Sequence, residues 1–168
     1  PQEQPFYLAY GLTKPPLDWR VPQKYFDLHP IEEIELPPVK KGDLSDLPVF
    51  GKKLAREVYD PSDEKNFAVK PDGDHASVVA HGQWRKAVQA YLATISFADA
   101  QIGRVLDSLD RSVHARKTIV VLWGDHGWHL GEKEHWRKHA LWEVSTRTPL
   151  MFLVPGGAAS CLLYTSPS

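Results

Sequence analysis

The stretch TIVVLWGDHG, residues 118–127, joins a strand pattern to a pair of chemically active side chains. Residues 118–123 are β-branched or apolar without interruption, which is typical of a strand buried on both faces. Directly after this run come Asp125 and His126, each next to a glycine that permits tight backbone geometry. Because ligands bind beyond the carboxyl ends of strands in open α/β sheets, we predict that this acid and this imidazole face a functional site.

Other segments support the same fold class. Apolar residues recur at steps of three and four between Trp84 and Leu109, which predicts one long amphipathic α-helix. Residues 150–154 repeat the buried-strand pattern, and residues 6–10 form a third apolar run of this kind. A long helix followed by buried strands predicts an α/β sheet covered by helices.

The first part of the chain is rich in proline and carries weaker signals. Residues 12–22 cannot form a helix, because proline removes hydrogen-bond donors and restrains the residue before it, so we predict a rigid exposed loop. Residues 23–71 are interpreted as a long surface excursion that includes an aromatic turn at residues 25–26. A short helix within residues 51–59 and a polar loop over residues 60–74 are also expected there.

The composition argues against several classes of protein. The 20 basic and 21 acidic side chains leave a formal net charge of −1 over 168 residues, which argues against a general binder of nucleic acid or anionic membranes. No apolar run approaches the about 20 residues that span a bilayer. The single cysteine, Cys161, excludes an internal disulfide framework.

The two ends look unlike those of a complete domain. The sequence starts without methionine and opens almost at once on the apolar run of residues 6–10. Residues 161–168 follow a Gly-Gly turn and are expected to be a non-native or artefactual tail, which leaves residues 1–160 as one partial domain. The chain is therefore interpreted as an internal fragment of a longer protein.

The loop after the buried strand carries further candidate residues. Residues 129–139 form a polar and aromatic segment that is predicted to face the same pocket as the acid and the histidine. A carboxylate beside a histidine is a plausible half of a metal site. Lys138 or Arg137 is placed to contact an anionic group by charge-assisted hydrogen bonds. For Arg137, and also for Lys133, a solvated surface position is the preferred interpretation.

An ordered set of segments resembles a known family, the sulfatases, and most closely their iduronate-2-sulfatase-like branch. The segments are residues 91–103, 118–132 and 148–156. Residues 6–11, together with Lys14 and Pro15, resemble an earlier strand and loop of the same family. The resemblance covers most of residues 5–156. It rests on the order of the motifs rather than on any single motif.

The resemblance implies a fold and an activity. The fold is an alkaline-phosphatase-like α/β sandwich with a mixed, mostly parallel central sheet covered by helices. The activity is that of a sulfuric ester hydrolase acting on sulfate esters, with sulfated sugars or glycans as the class suggested by the iduronate-sulfatase-like branch. Sulfatases use a formylglycine made from a cysteine or serine, and they bind calcium. Residues 1–160 then form a partial sulfatase catalytic domain, and family habit favours an exported, periplasmic or lysosome-like location.

Site residues follow from the resemblance position by position. Asp125 and His126 match the calcium ligands from this part of the chain, and Asp125 is the surer of the two because calcium prefers oxygen. Lys138 matches the lysine that contacts the sulfate and offsets charge near the bridging oxygen. Trp128 and His139 match positions near the substrate.

Two departures from the family pattern bear on activity. The formylglycine motif, a cysteine or serine followed by Pro-Ser-Arg, is absent, and Cys161 is followed by Leu-Leu-Tyr. Because the nucleophile and the upstream aspartates of the metal site are missing, the chain alone is predicted to be inactive. The family's early loop commonly reads Lys-Pro-His, whereas here Lys14 and Pro15 are followed by Pro16, which has no polar side chain. Lys14 is a candidate anion contact, with a solvated lysine as the equal alternative.

Two other functions stay open at this point. The first is a phosphodiesterase or phosphomutase of the same fold with two transition metals, in which His135 and His139, spaced i and i+4, bind zinc if that stretch is helical. The second is a catalytically dead binding module, which Pro16 favours. The metal content of the full-length protein would distinguish the phosphodiesterase or phosphomutase from a sulfatase. The upstream sequence would distinguish the binding module from an active sulfatase.

Overall fold

The computed structural model describes residues 4–58, 68–69 and 73–156. The α-helices are α1 (Gln23–Phe26), α2 (Val49–Ala55), α3 (Gly73–Ala80), α4 (Trp84–Asp110) and α5 (Glu143–Thr146). The strands are β1 (Glu57–Val58), β2 (Ala68–Val69), β3 (Val120–Trp123), β4 (His129–Leu130), β5 (Trp136–Arg137) and β6 (Leu150–Leu153). Single 3-10 turns lie at Ile31–Glu33, Ala115–Lys117 and Glu132–Glu134.

The long helix predicted from apolar periodicity is confirmed. Helix α4 runs for 27 residues and buries side chains of its inner face, among them Val88 and Ala98. The aromatic turn predicted at residues 25–26 is also confirmed as helix α1, where Tyr25 is buried and its ring meets Phe97 of α4 edge-on, with 5.4 Å between the ring centroids. Aromatic pairs prefer this edge-to-face arrangement, so α1 is fixed against α4.

The two predicted strands near the acid and the histidine both form, as β3 and β6. They pair with each other in antiparallel register, from Val120 opposite Leu153 to Trp123 opposite Leu150. The pairs β1–β2 and β4–β5 are antiparallel as well. Among the described residues every sheet has two strands and every pairing is antiparallel, so the predicted mostly parallel central sheet is not confirmed.

The burial predicted for the apolar runs is wrong for this chain. Trp123 of β3 is 60% exposed, and the side chains of β3 alternate between half-buried and exposed. Residues 6–10 form no strand, and Tyr7 is 87% exposed. A strand is buried on both faces only when other layers cover it, and within the described residues β3 has β6 as its single strand neighbour.

The hydrophobic core lies between α4 and the β4–β5 hairpin. Its buried members come from three parts of the chain and comprise Ile34, Val88, Trp128, Leu130 and Trp136. Trp84 at the start of α4 donates its indole N–H to the carbonyl of Leu130 at 2.7 Å, which ties the helix to the hairpin. The core therefore sits directly behind the segment that carries the candidate site.

The remaining predictions concern the middle and the end of the chain. Helix α2 begins two residues before the short helix predicted over residues 51–59 and ends at Ala55, so the second half of that prediction is wrong: residues 57–58 form β1. In the predicted loop of residues 60–74, β2 pairs with β1 and Gly73 begins α3, while the other positions lie largely outside the described residues. The proposed tail, residues 161–168, also lies outside them. Within the described ranges, no helix has the length and apolar character needed to cross a membrane.

Candidate functional site

Asp125 and His126 are neighbours at the end of β3, and their side chains approach each other. A carboxylate oxygen of Asp125, Oδ2, lies 3.6 Å from Nε2 of His126, and the Asp125 side chain is 83% exposed. The His126 backbone N–H donates to the other oxygen, Oδ1, at 3.1 Å. Nδ1 of His126 lies 2.8 Å from the carbonyl of Gly127. Because a carbonyl only accepts, Nδ1 carries a proton in this contact, and Nε2 is the ring atom that faces the carboxylate.

This pair offers two adjacent donor atoms to a metal ion, one oxygen and one nitrogen. Within the described residues no cluster of three or more histidine, cysteine, aspartate or glutamate side chains could hold a metal. The chain therefore supplies two ligands at most from this turn. Two adjacent donor atoms are compatible with the prediction that Asp125 and His126 form one half of a metal site. Their role as ligands stays a prediction.

The turn is held against the segment that leads from α5 to β6. The Gly127 N–H donates to the carbonyl of Ser145 at 2.7 Å, and the Gly124 N–H donates to the carbonyl of Pro149 at 3.0 Å. A Cβ atom added at Gly127 would lie 1.9 Å from the carbonyl oxygen of Val144. No side chain fits there, so glycine at this position is required by the close approach of two backbones.

Trp128 continues from this turn into the core. It is buried, and its ring stacks on Tyr91 of α4 with 6.1 Å between centroids. Its other neighbour is the His126 ring at 6.2 Å. Burial raises the pKa of Tyr91 to about 12, and the Glu132 carboxylate adds to the rise. Tyr91 is therefore neutral at physiological pH, and Trp128 connects the acid–histidine pair to a rigid aromatic stack.

The other predicted site residues lie on separate segments. Lys138 and His139 follow β5 and are exposed, and the Lys138 carbonyl accepts from the N–H of Ala140 at 2.7 Å. Lys14 is half-buried in the proline-rich loop, where its ammonium donates to the carbonyl of Asp18. The structure thus joins Asp125, His126 and Trp128 by direct contacts, whereas the roles predicted for the two lysines and His139 stay predictions.

The solvated positions preferred for Arg137 and Lys133 are wrong. The Arg137 guanidinium forms an ion pair with Asp74 of α3 at 2.6 Å. The Lys133 ammonium forms another with Asp43 at 2.8 Å. All four side chains are less than one-third exposed. Each partner lies far away in the sequence, so the local pattern of charges contains no signal for either pair.

Two buried histidines, His129 and His135, were missed by the sequence prediction as a pair. Both are almost fully buried, and their ring centroids lie 5.0 Å apart. Nδ1 of His129 donates to the carbonyl of Glu132 at 3.1 Å, and Nδ1 of His135 donates to that of Ala55 at 3.2 Å. Burial lowers the pKa of His135 to about 4 and also lowers the pKa of His129. Both rings are therefore neutral near pH 7.

The helix that the alternative zinc pair of His135 and His139 requires does not form. Lys133, Glu134 and Arg137 have positive φ values of 58°, 53° and 76°, which lie outside the right-handed helical region. The segment consequently forms a 3-10 turn followed by β5. His135 is buried and His139 is exposed, so the two rings do not share a helix face.

The buried histidines predict that acid destabilises the protein. The pKa of His135 is depressed in the folded state from 6.5 to about 4, so its contribution is complete above pH 6.5 and is lost as the pH falls toward 4. We expect the free energy of unfolding to fall by about 2 kcal/mol between pH 7 and pH 5 from this residue, since one pKa unit corresponds to about 1.4 kcal/mol. Denaturant unfolding of His135→Gln should show a shallower pH dependence than the unmodified protein. His81→Gln, at an exposed histidine, is the matched control, and an unchanged slope in His135→Gln would contradict the assignment.

The described residues thus combine helices and short antiparallel strand pairs with an adjacent carboxylate and imidazole at the end of β3. A family model described as Sulfatase matches residues 49–166. The chain is 46% identical over 153 residues to a Sulfatase of Formosa agariphila, covering 91% of this chain and 28% of the relative. It is 36% identical over 159 residues to the Iduronate 2-sulfatase of Homo sapiens, covering 93% and 28% respectively. It is 28% identical over 165 residues to a Choline-sulfatase of Rhizobium meliloti, covering 98% and 29%.

The chain therefore belongs to the sulfatase family, as the order of its motifs predicts. Membership implies an alkaline-phosphatase-like α/β fold, of which the described residues contain helices and antiparallel strand pairs. The chain spans somewhat more than a quarter of the length of these relatives, 28% for the first two. The activity of the whole protein is consequently a matter for proposal.

Proposed function

We propose that this chain forms one side of the active site of a sulfatase that hydrolyses sulfate esters, with sulfated sugars or glycans as the substrate class. The observation that best supports this proposal is the Asp125–His126 pair, whose Oδ2 and Nε2 atoms lie 3.6 Å apart at the end of β3. Two relatives with sugar-derived names, Iduronate 2-sulfatase and N-acetylglucosamine-6-O-sulfatase, support the substrate class. Another relative is named Choline-sulfatase, so family membership alone does not determine the substrate.

Calcium is the metal that the proposal assigns to this pair. The residues fit it in part: Asp125 offers an exposed carboxylate and His126 a lone pair at Nε2, because Nδ1 is held by the Gly127 carbonyl. Calcium prefers oxygen ligands, so Asp125 is the stronger of the two. When bound, the ion would supply positive charge beside the anionic oxygens of a sulfate ester. The remaining ligands and a formylglycine nucleophile would come from residues upstream of this chain.

The protein's own side chains are assigned roles that follow from their charge and position. Lys138 provides an exposed ammonium next to the hairpin, and we assign it to contact the sulfate and offset charge on the leaving oxygen. Trp128 and His139 are assigned to the substrate's organic part, and Lys14 to an anionic oxygen. The Lys14 ammonium already donates to the Asp18 carbonyl, so an anion would have to compete with that contact.

A second candidate function is a binding protein that retains the fold without turnover. Pro16 favours it, since proline stands where the family's early loop commonly has a histidine that touches the sulfate. The phosphodiesterase or phosphomutase alternative loses its specific support, because His135 and His139 do not form a helical pair.

Metal content and sulfate release from a small aryl sulfate test the proposal in the complete protein. We expect stoichiometric calcium, loss of activity on chelation and recovery with calcium. Asp125→Ala should weaken calcium binding by at least about tenfold, since loss of even an indirect partner of a metal site typically costs about 10–100-fold in affinity. Asp107→Ala, at an exposed acid of α4, is the matched control and should bind calcium as the unmodified protein does.

Two results would contradict the proposal. Stoichiometric zinc without calcium would favour the phosphodiesterase or phosphomutase alternative. Binding of sulfated sugars without any release of sulfate would favour the binding protein.

A further inference from the structure

Three non-glycine residues of the described chain have left-handed backbone, and all three lie in the segment that leads to Lys138. They are Lys133, Glu134 and Arg137, with φ values of 58°, 53° and 76°. Left-handed backbone is unfavourable for a residue that carries a Cβ atom. It persists only where the surrounding structure imposes it, and it occurs preferentially at functional sites. The contacts of these three side chains should therefore identify what imposes the conformation.

Each left-handed residue forms an ion pair with a distant part of the chain. The pairs are Lys133 with Asp43 at 2.8 Å, Glu134 with Arg56 at 3.5 Å, and Arg137 with Asp74 of α3 at 2.6 Å. The Arg137–Asp74 pair is the shortest of the three, and less than one-quarter of each side chain is exposed. Partly buried charges are screened by salt much less than exposed ones. This ion pair is therefore a strong anchor for the end of β5.

Helix α3 holds β5 through two consecutive residues. Asp74 pairs with Arg137, and Nδ1 of the neighbouring His75 accepts from the indole N–H of Trp136 at 3.3 Å. The His75 ring also meets Trp84 edge-on, with 4.7 Å between the ring centroids, which ties α3 to α4. Trp136 itself is buried in the core. Both residues of β5 are consequently fixed just before the chain leaves the hairpin.

Lys138 directly follows the left-handed residue and has an exposed side chain. A rotation of φ at Arg137 from 76° to the negative values of ordinary strands would redirect the chain that follows. The start of the Lys138 side chain would move with it. Catalytic groups need supporting contacts that hold them within about 0.5 Å of the productive geometry. The backbone at Arg137 is thus the point at which the direction of Lys138 is determined.

We propose that Asp74 and Arg137 are positioning residues for Lys138. Their ion pair holds the left-handed backbone at Arg137, and this backbone directs the Lys138 ammonium toward the sulfate. The inference rests on the proposed function, in which Lys138 offsets charge on the leaving oxygen. Neither positioning residue contacts the reacting atoms in this assignment.

A double-mutant cycle on the complete protein tests the proposal, with kcat for 4-nitrophenyl sulfate corrected for the folded fraction. Asp74→Asn should lower kcat by about 10- to 100-fold, because a misplacement of about 1 Å can cost about 100-fold. In the Lys138→Ala background the same substitution should change kcat by less than about twofold, since residues that act as a unit are not additive. An equal fall in both backgrounds, or no fall in either, would overturn the proposal.

Two substitutions of Arg137 give a second test, which also serves if Asp74→Asn fails to fold. Arg137→Gly and Arg137→Ala both remove the guanidinium, and only alanine carries the Cβ atom that disfavours left-handed backbone. The glycine variant should have a kcat about 5- to 30-fold above that of the alanine variant. Left-handed backbone costs a residue with a Cβ atom about 1–2 kcal/mol, and about 1.4 kcal/mol corresponds to a factor of ten. Equal kcat values in the two variants would contradict a role through the backbone.

The matched control is Asp43→Asn. It breaks an ion pair of similar burial with another left-handed residue, Lys133, which lies in the turn of the same hairpin and not next to Lys138. This variant should keep kcat within about twofold of the unmodified protein, the usual tolerance for independent sites. A fall equal to that in Asp74→Asn would show a general loss of hairpin structure and would overturn the positioning role.

Failure of the proposed function has a different outcome. If the unmodified protein releases no sulfate, amide hydrogen exchange of the peptide covering residues 136–140 measures the anchoring directly. Exchange about tenfold faster in Asp74→Asn, with an unchanged rate in Asp43→Asn, would support the backbone role of the ion pair in a protein without turnover. Unchanged exchange in Asp74→Asn would overturn it.

Discussion

Replacing Lys138 by alanine is expected to lower kcat for sulfate ester hydrolysis by about 100- to 1,000-fold, the loss that follows removal of one group stabilising charge in a transition state. Sulfate ester cleavage builds negative charge on the leaving oxygen, and the proposal assigns the Lys138 ammonium to that charge. The side chain is exposed beyond the end of β5, so its removal leaves the packing of the hairpin intact. The thermal unfolding midpoint should therefore stay within about 1 °C of the unmodified protein, as surface substitutions usually have small effects.

Two further variants make this prediction specific. Lys117→Ala removes an exposed lysine at the opposite end of β3 and should retain full activity. Lys138→Arg keeps the charge but replaces a compact ammonium by a planar guanidinium, so we expect partial activity. Full activity in Lys138→Ala, measured on the complete protein with a small aryl sulfate, would refute the role assigned to this lysine.

Gly127→Ala is expected to disrupt the turn that carries Asp125 and His126, and with it calcium binding. The new Cβ would lie 1.9 Å from the Val144 carbonyl oxygen and 2.9 Å from its carbonyl carbon. Both are backbone atoms at the start of α5, so the clash cannot be relieved by a side-chain rotation. Overpacking usually costs about 1–3 kcal/mol and occasionally more. We expect the free energy of unfolding to fall by more than about 3 kcal/mol here, because the same shift would also strain the hydrogen bond from the Gly127 N–H to the Ser145 carbonyl.

Gly103→Ala is the control for that substitution. Gly103 lies within α4, and a Cβ atom built there has no neighbour within 4 Å. Alanine in a helix interior is more stable than glycine by about 0.5–1 kcal/mol, so this variant should unfold at a slightly higher denaturant concentration. Equal midpoints for Gly127→Ala and the unmodified protein would show that the backbone at Val144 can move at little cost.

The sequence predicts those helices and strands that are determined by the pattern of neighbouring residues. The apolar stripe between Trp84 and Leu109 predicts helix α4, because apolar residues at steps of three and four require one continuous helix. Strands β3 and β6 follow from unbroken apolar runs. Their burial and partners could not be predicted, because both depend on which other layers cover them. The antiparallel β3–β6 pairing is a long-range property that neither run encodes by itself.

The same distinction separates the parts of the candidate site. Asp125 and His126 adjoin in sequence, so their approach could be predicted from residues alone. The ion pair of Arg137 with Asp74, by contrast, depends on how α3 packs against the hairpin. The segment around His135 was predicted as a loop, and only the zinc alternative required it to be helical. Left-handed backbone at neighbouring non-glycine residues excludes a helix there, and no residue type in the segment signals such a conformation.

The exposed side of the β3–β6 pair has a practical consequence for producing the protein. On one face of the ladder, large apolar side chains are exposed at Ile119, Val121, Trp123 and Phe152, and among the described residues no further strand pairs with either edge. An open, apolar strand edge is a template for intermolecular strand addition. Recombinant expression of these 168 residues by themselves is therefore prone to inclusion bodies, and a longer boundary that covers this ladder is the better choice for purification.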